Sequence, residues 1–193
     1  MRPARRDATD TGGARARAYR DAVARRRAFR LPGYVTLAEA GFDGEWVSPI
    51  QITSGALDGP MLMTKDWLDA PSAARHRDRL ATRGYLPEIP FNRVLDAALD
   101  LLGLDRGAIY VAPVFCLLPP VRSHPLPAAD ARASFEAVTR HEIMGRRPVA
   151  AGDDAARVLR HFDVPHVATI HPSRRGLDYA ARARLIADAL EAA

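Results

Sequence analysis

The chain has 193 residues, a net charge of +5 from 28 Lys and Arg against 23 Asp and Glu, and a single cysteine, Cys116. That length suits one α/β domain with a sizeable core, or one domain plus an arm. One cysteine excludes an internal disulfide framework and a cysteine-held metal cluster, no apolar run is long enough to span a membrane, and no signal-peptide core opens the chain, so a cytoplasmic protein is expected.

Charge is uneven along the chain. Ten arginines and three aspartates give residues 1–32 a charge of +7 and leave −2 for the remainder. Residues 1–32 are therefore expected as a basic N-terminal arm or helix, broken at Pro32-Gly33, and residues 33–193 as the α/β domain. Such an arm suits a phosphate backbone, and it equally suits a solvated leader.

Beyond the arm, Thr36 to Ala40 reads as a short helical turn, Trp46 to Thr53 as an edge strand and Ser54 to Gly59 as a turn. Met61 to Thr64 is a buried strand, and Ser72 to Thr82 a polar helix with Ser72 as its N-cap. Asn92 to Leu102 is an amphipathic helix ended by Gly103, followed by a strand over Ile109 to Phe115 that Pro113 interrupts. A proline-rich loop, Pro119 to Pro127, precedes a helix over Ala128 to Ile143. Val164 to Ile170 reads as a buried strand, and Leu177 to Ala193 as a helix with Leu177, Ala181, Leu185, Ala189 and Ala192 on one face. Strands alternating with helices predict a three-layer α/β/α fold around a central, mainly parallel sheet of about four strands.

Between the last strand and the last helix stands Ile170-His171-Pro172-Ser173-Arg174-Arg175-Gly176. The end of a parallel strand is where open α/β sheets build their sites. Here proline stiffens the turn, Ser173 can bond a phosphate, and Arg174 and Arg175 suit an anionic backbone. This His-Pro-Ser loop resembles the second signature of the uracil-DNA glycosylase superfamily. The likeness extends from about Trp46 to the C-terminus. Arg147 to Leu159 is similar to the family's preceding strand, glycine turn and helix, while Leu101 to Arg106, Ile109 to Val111 and Val114 to Pro120 are similar to its second helix, second strand and following loop.

The resemblance implies a DNA glycosylase and assigns roles. Breaking an N-glycosidic bond builds positive charge on the sugar and negative charge on the departing base, and the base must be held out of the duplex. Asp66, after the first core strand, takes the place of the family's catalytic aspartate, with Asp69 in reserve. Around it the best-known branch has Gly-Gln-Asp-Pro-Tyr, where this chain has Thr64-Lys65-Asp66-Trp67-Leu68, so only the acid survives. His171 would stabilise the leaving base, and Phe91, in Ile89-Pro90-Phe91-Asn92, would stack on it. Lys65, Trp67, Leu68 and Pro113 would complete the base pocket, and Ser173, Arg174 and Arg175 would meet DNA. His76, His124, His141, His161 and His166 lack such a context and read as surface or core residues. No metal, cofactor or membrane contact is expected, and the single cysteine rules out the iron–sulfur cluster of one branch.

Two departures bear on the base. Pro113 stands where the family reads uracil with an asparagine, and Leu68 where a tyrosine excludes a pyrimidine 5-methyl group. Loss of both suggests a base other than uracil, most naturally a 5-substituted pyrimidine. Modified viral DNA would be one source, with antiviral defence as the role. The alternatives are a repair glycosylase for uracil or another deaminated base, and a catalytically silent DNA-binding module. Lys65 adds a narrower option, Schiff-base lyase chemistry, against the commoner role of a phosphate contact.

Overall fold

Four short apolar runs form the sheet: β1 (Met61–Thr64), β2 (Tyr110–Pro113), β3 (Val149–Ala151) and β4 (Val167–Thr169), all parallel and ordered β2-β1-β3-β4. The computed structural model describes residues 8–193, with side chains described from residue 12. The helices are α1 (Ala8–Ala28), α2 (Ala70–Arg75), α3 (Arg77–Arg83), α4 (Pro90–Leu102), α5 (Ala128–Ala137), α6 (Asp153–His161) and α7 (Tyr179–Glu191). None of these helices is long and apolar enough to cross a membrane.

Alternation along the strands splits the core into two layers. Leu62, Val111, Val149 and Ala151 face α4 and α7, packing on Val94, Leu95, Ile186 and Leu190. Met61, Met63, Tyr110, Ala112 and Ala150 face the other way, onto Phe135 of α5 and Leu159 of α6. The expected three-layer α/β/α architecture with four parallel strands is what the chain adopts.

Several local expectations need correction. Trp46 to Thr53 is not an edge strand: Pro49–Ile52 forms a single 3-10 turn. Proline has no N–H for a ladder, and Gln51 folds its side chain back to accept the Val47 N–H at 3.0 Å. The helix expected over Ser72 to Thr82 divides at His76 into α2 and α3, and its N-cap is Asp69, whose Oδ1 accepts the Ser72 N–H at 2.9 Å. The helix expected to run to Ile143 ends at Ala137 and continues as a 3-10 turn, Thr139–Glu142. β4 is an edge strand with Ala168 exposed, not a buried one.

On α7 the inward face is Ala183, Ile186, Ala187, Ala189 and Leu190, so of the expected stripe Ala189 is buried while Leu185, and Leu177 ahead of the helix, are exposed. The expected stripe followed one i+4 row, which drifts round a 3.6-residue helix; spacing of three and four stays on one side.

The charge boundary at residue 32 is not a packing boundary. In α1, Ala22 and Val23 are buried with Val47, Phe115 and Val138, and the Tyr19 hydroxyl donates to Gln51 Oε1 at 2.8 Å. Arg26 is buried as well, pairing with Asp43 at 2.9 Å and donating to the carbonyls of Gly44 and Trp46. Residues 1–7 of the basic stretch lie outside the described residues.

Pro113 is accommodated at no cost to the sheet. Tyr110 and Val114 donate their N–H groups toward β1, to Pro60 and Thr64, whereas Val111 donates outward to Ser54. Pro113 shares the outward side with Val111, so its missing N–H removes no ladder bond.

Candidate functional site

All four strands deliver their C-terminal ends to one cavity of about 560 Å³. Thr64, Lys65 and Asp66 come from the end of β1, Pro113 from β2, Ala151 and Gly152 from β3, and His171 from the turn after β4. The chain leaves β1 first for β2 on one side and later for β3 on the other, so the cavity opens at the switch point of the sheet. Of the residues predicted for the site, Asp66, His171, Phe91, Lys65, Trp67, Leu68, Pro113 and Ser173 all line it. Arg174 and Arg175 do not: they are exposed on the surface of the loop beyond Ser173.

Asp66 is largely withdrawn from solvent, and this burial raises its pKa, partly opposed by the neighbouring Lys65 and by His171. Lys65 Nζ lies 3.5 Å from Asp66 Oδ2 and donates to the His124 carbonyl at 2.5 Å, tying the proline-rich loop to the end of β1. Asp69, the reserve acid, is buried and occupied as the cap of α2.

The His171 ring lies 5.8 Å, centroid to centroid, from Phe91 in the first turn of α4. Burial lowers its pKa, against the pull of Asp66 and Asp154, which favours the neutral ring. Nδ1 accepts the Ser173 backbone N–H at 3.1 Å, so the neutral tautomer carries its proton on Nε2.

Two residues outside the predicted set hold this histidine. Gly152 has φ of +98°, and a Cβ there would sit 3.0 Å from the Cβ of His171. A side chain at 152 would be both strained and in the way of the imidazole. Arg182, on the buried side of α7, donates Nη1 to the Pro172 carbonyl at 3.0 Å and Nε to the Asp178 carbonyl at 3.1 Å, bracing the loop at both ends. A glycine after a strand is a legible signal. An arginine eleven residues beyond the histidine is not, because only the return of α7 against the loop brings the two together.

Trp67 is a wall: its Nε1 is committed to the Gly84 carbonyl at 2.8 Å and its ring packs edge-on to Phe42. Asn92, read before only as a helix start, is buried in the lining. Its amide donates to the Leu86 carbonyl at 2.8 Å and accepts from Arg106 at 2.9 Å. His76, read as a bystander, also lines the cavity. Among the described residues no three of His, Cys, Asp and Glu converge in a way that could hold a metal ion.

The arrangement sets a carboxylate, an imidazole N–H donor and an aromatic face around one enclosed space, and can therefore stabilise separated charge across a planar ligand. No protein-family model matches the chain, and no match to it is found among curated proteins.

Proposed function

We propose that the protein is a monofunctional DNA glycosylase that hydrolyses the N-glycosidic bond of a flipped-out, 5-substituted pyrimidine. The observation that carries this reading is the convergence of Asp66, His171 and Phe91 on one cavity at the strand ends, in the order of the superfamily the sequence resembles. Asp66 would stabilise the cationic sugar and orient water. Neutral His171 would donate its Nε2 proton to a hydrogen bond with the departing base, and Phe91 would offer its ring for stacking.

The base preference follows from Pro113 and Leu68, both in the lining. Neither can hydrogen-bond a uracil edge through its side chain, and leucine leaves the 5-position open where tyrosine would close it. Lys65 donates to the His124 carbonyl and faces Asp66, which supports a positioning role over attack on the sugar, and the expected product is an intact abasic strand. A role in defence against viruses with modified DNA is consistent with such a substrate.

The test is to incubate purified protein with duplex and single-stranded oligonucleotides carrying one modified base, then cleave at abasic sites. Excision of 5-substituted pyrimidines with neglect of uracil is expected, and borohydride should trap no covalent adduct. Efficient uracil removal with rejection of every 5-substituted base would establish the repair enzyme instead. Binding without excision of any base would establish the silent module.

A further inference from the structure

We infer that the β1–β2 end of the cavity is a cationic annex that selects a base whose 5-substituent carries a negative charge, with Arg75 and Arg122 as its specificity-determining residues. The inference rests on the glycosylase reading and narrows its substrate class.

Size is the first argument. About 560 Å³ is the scale of a pocket for a drug-sized ligand, more than an unmodified pyrimidine stacked on Phe91 occupies. Beyond Leu68 the chain passes through the capping residue Asp69 into α2, and Ser72 and Arg75 of that helix also line the cavity.

The wall that α2 presents there is polar. Ser72, Arg75 and His76 stand at positions i, i+3 and i+4, share one side of the helix and all line the cavity, while Ala73 turns into the core at 0 % exposure. Facing α2 from the end of β2, the Pro119–Ser123 segment contributes Arg122 and Ser123. Ser123 has φ of +58°, a left-handed conformation that a non-glycine residue adopts uncommonly, and the Lys65 bond to the next residue's carbonyl anchors the loop there.

Charge supplies the sign. Arg75 and Arg122 have no hydrogen-bond, ion-pair or ring partner among the described residues. Asp69, the carboxylate nearest to α2 in the chain, is occupied by the Ser72 N–H. Of the other acids of the lining, Asp66 at the end of β1 faces Lys65 Nζ at 3.5 Å, and Asp153 and Asp154 belong to the first turn of α6 after β3, on the opposite half of the sheet. On this half Asp66 is answered by Lys65 and Asp69 by the Ser72 N–H, whereas the two arginines are unpartnered among the described residues, an environment that an anion stabilises more than a neutral substituent does. Both arginines are exposed at the mouth, so replacing them disturbs no core.

The experiment compares oligonucleotides bearing one 5-carboxyuracil or one 5-hydroxymethyluracil, using wild type and Arg75→Gln, Arg122→Gln and the double variant. Ring electronics enter the wild-type ratio of kcat/KM, so the annex is read as the change in that ratio between proteins. A fall of tenfold or more in the carboxyl-to-hydroxymethyl ratio in the double variant is expected, with smaller falls in the single ones. An unchanged ratio, with both substrates weakened together and a shallower salt dependence, would assign the arginines to backbone phosphates and overturn the inference. If no base is excised at all, the glycosylase reading fails separately. Calorimetric binding of the free 5-carboxyuracil and 5-hydroxymethyluracil nucleosides then decides the annex: preference for the carboxylate, lost in the double variant, sustains it, and equal or absent binding removes it.

Discussion

The Ser173 backbone N–H donates to Nδ1 of His171 across 3.1 Å, and this one contact decides which nitrogen of the ring faces the cavity with a proton. Burial lowers the His171 pKa and raises that of Asp66, so both groups leave their working states on acidification. Asp66 becomes protonated as pH falls through its raised value, and His171 as pH falls through its lowered one. Single-turnover rates should therefore be flat above neutrality and fall on the acid side only. Nitrogen NMR at neutral pH should show the Nε2–H tautomer; an Nδ1–H ring would remove His171 as the donor to the base.

Asp66→Asn should separate activity from stability. Its folded-state pKa lies above the unfolded value, so ionised Asp66 costs the native state stability at neutral pH. Asparagine removes that cost, and thermal melting at pH 8 should be unchanged or slightly higher. Loss of the charge facing a cationic sugar should lower the single-turnover rate by on the order of a hundredfold or more. A stable variant with normal turnover would remove Asp66 from the mechanism.

Arg182→Met tests the brace beneath the histidine loop. It leaves the buried Pro172 carbonyl without its donor, at about 1–3 kcal/mol, while the exposed Asp178 carbonyl keeps the Arg182 backbone N–H. A purely structural role predicts a lower melting temperature alone. A positioning role adds a shifted His171 resonance and a kcat loss exceeding any change in KM, and that combination is expected.

Glu142, which does not line the cavity, also makes stability depend on pH. It is fully buried beneath the sheet, accepting from the Tyr110 hydroxyl and from Gln51 Nε2 at 2.6 Å, and burial pushes its pKa from 4.5 up to about 7. An acid whose folded pKa is raised stabilises the fold below its unfolded pKa and loses that contribution as pH climbs through the folded one. Denaturant unfolding should show ~3 kcal/mol lost between pH 4.5 and 8. Glu142→Gln keeps the accepting oxygen, puts its amide where Oε1 has no partner, and should flatten the curve. An unchanged slope would show that Glu142 is ionised throughout.

Much of this protein was legible one element at a time. The runs Met61–Thr64, Ile109–Phe115 and Val164–Ile170, with helices between them, predicted an α/β parallel sheet, and the strand at Val149–Ala151 was indicated by the family resemblance. Asp66, Phe91 and His171 were picked out by the family resemblance, at strand ends and a helix start, and all three line one cavity. Tertiary structure alone decided the rest. Charge made residues 1–32 look detached, yet Ala22, Val23 and Arg26 are buried, since a helix is held by one face whatever the other carries. Gln51 met Glu142 across 91 positions, Arg182 reached back under Pro172, and Arg75 of α2 and Arg122 of the loop after β2 came to line one cavity. Propensity and periodicity act over a few neighbouring residues and can identify which side chains stand at the strand ends. Which of them share a cavity depends on strand order and on the return of distant helices, and no local pattern encodes those.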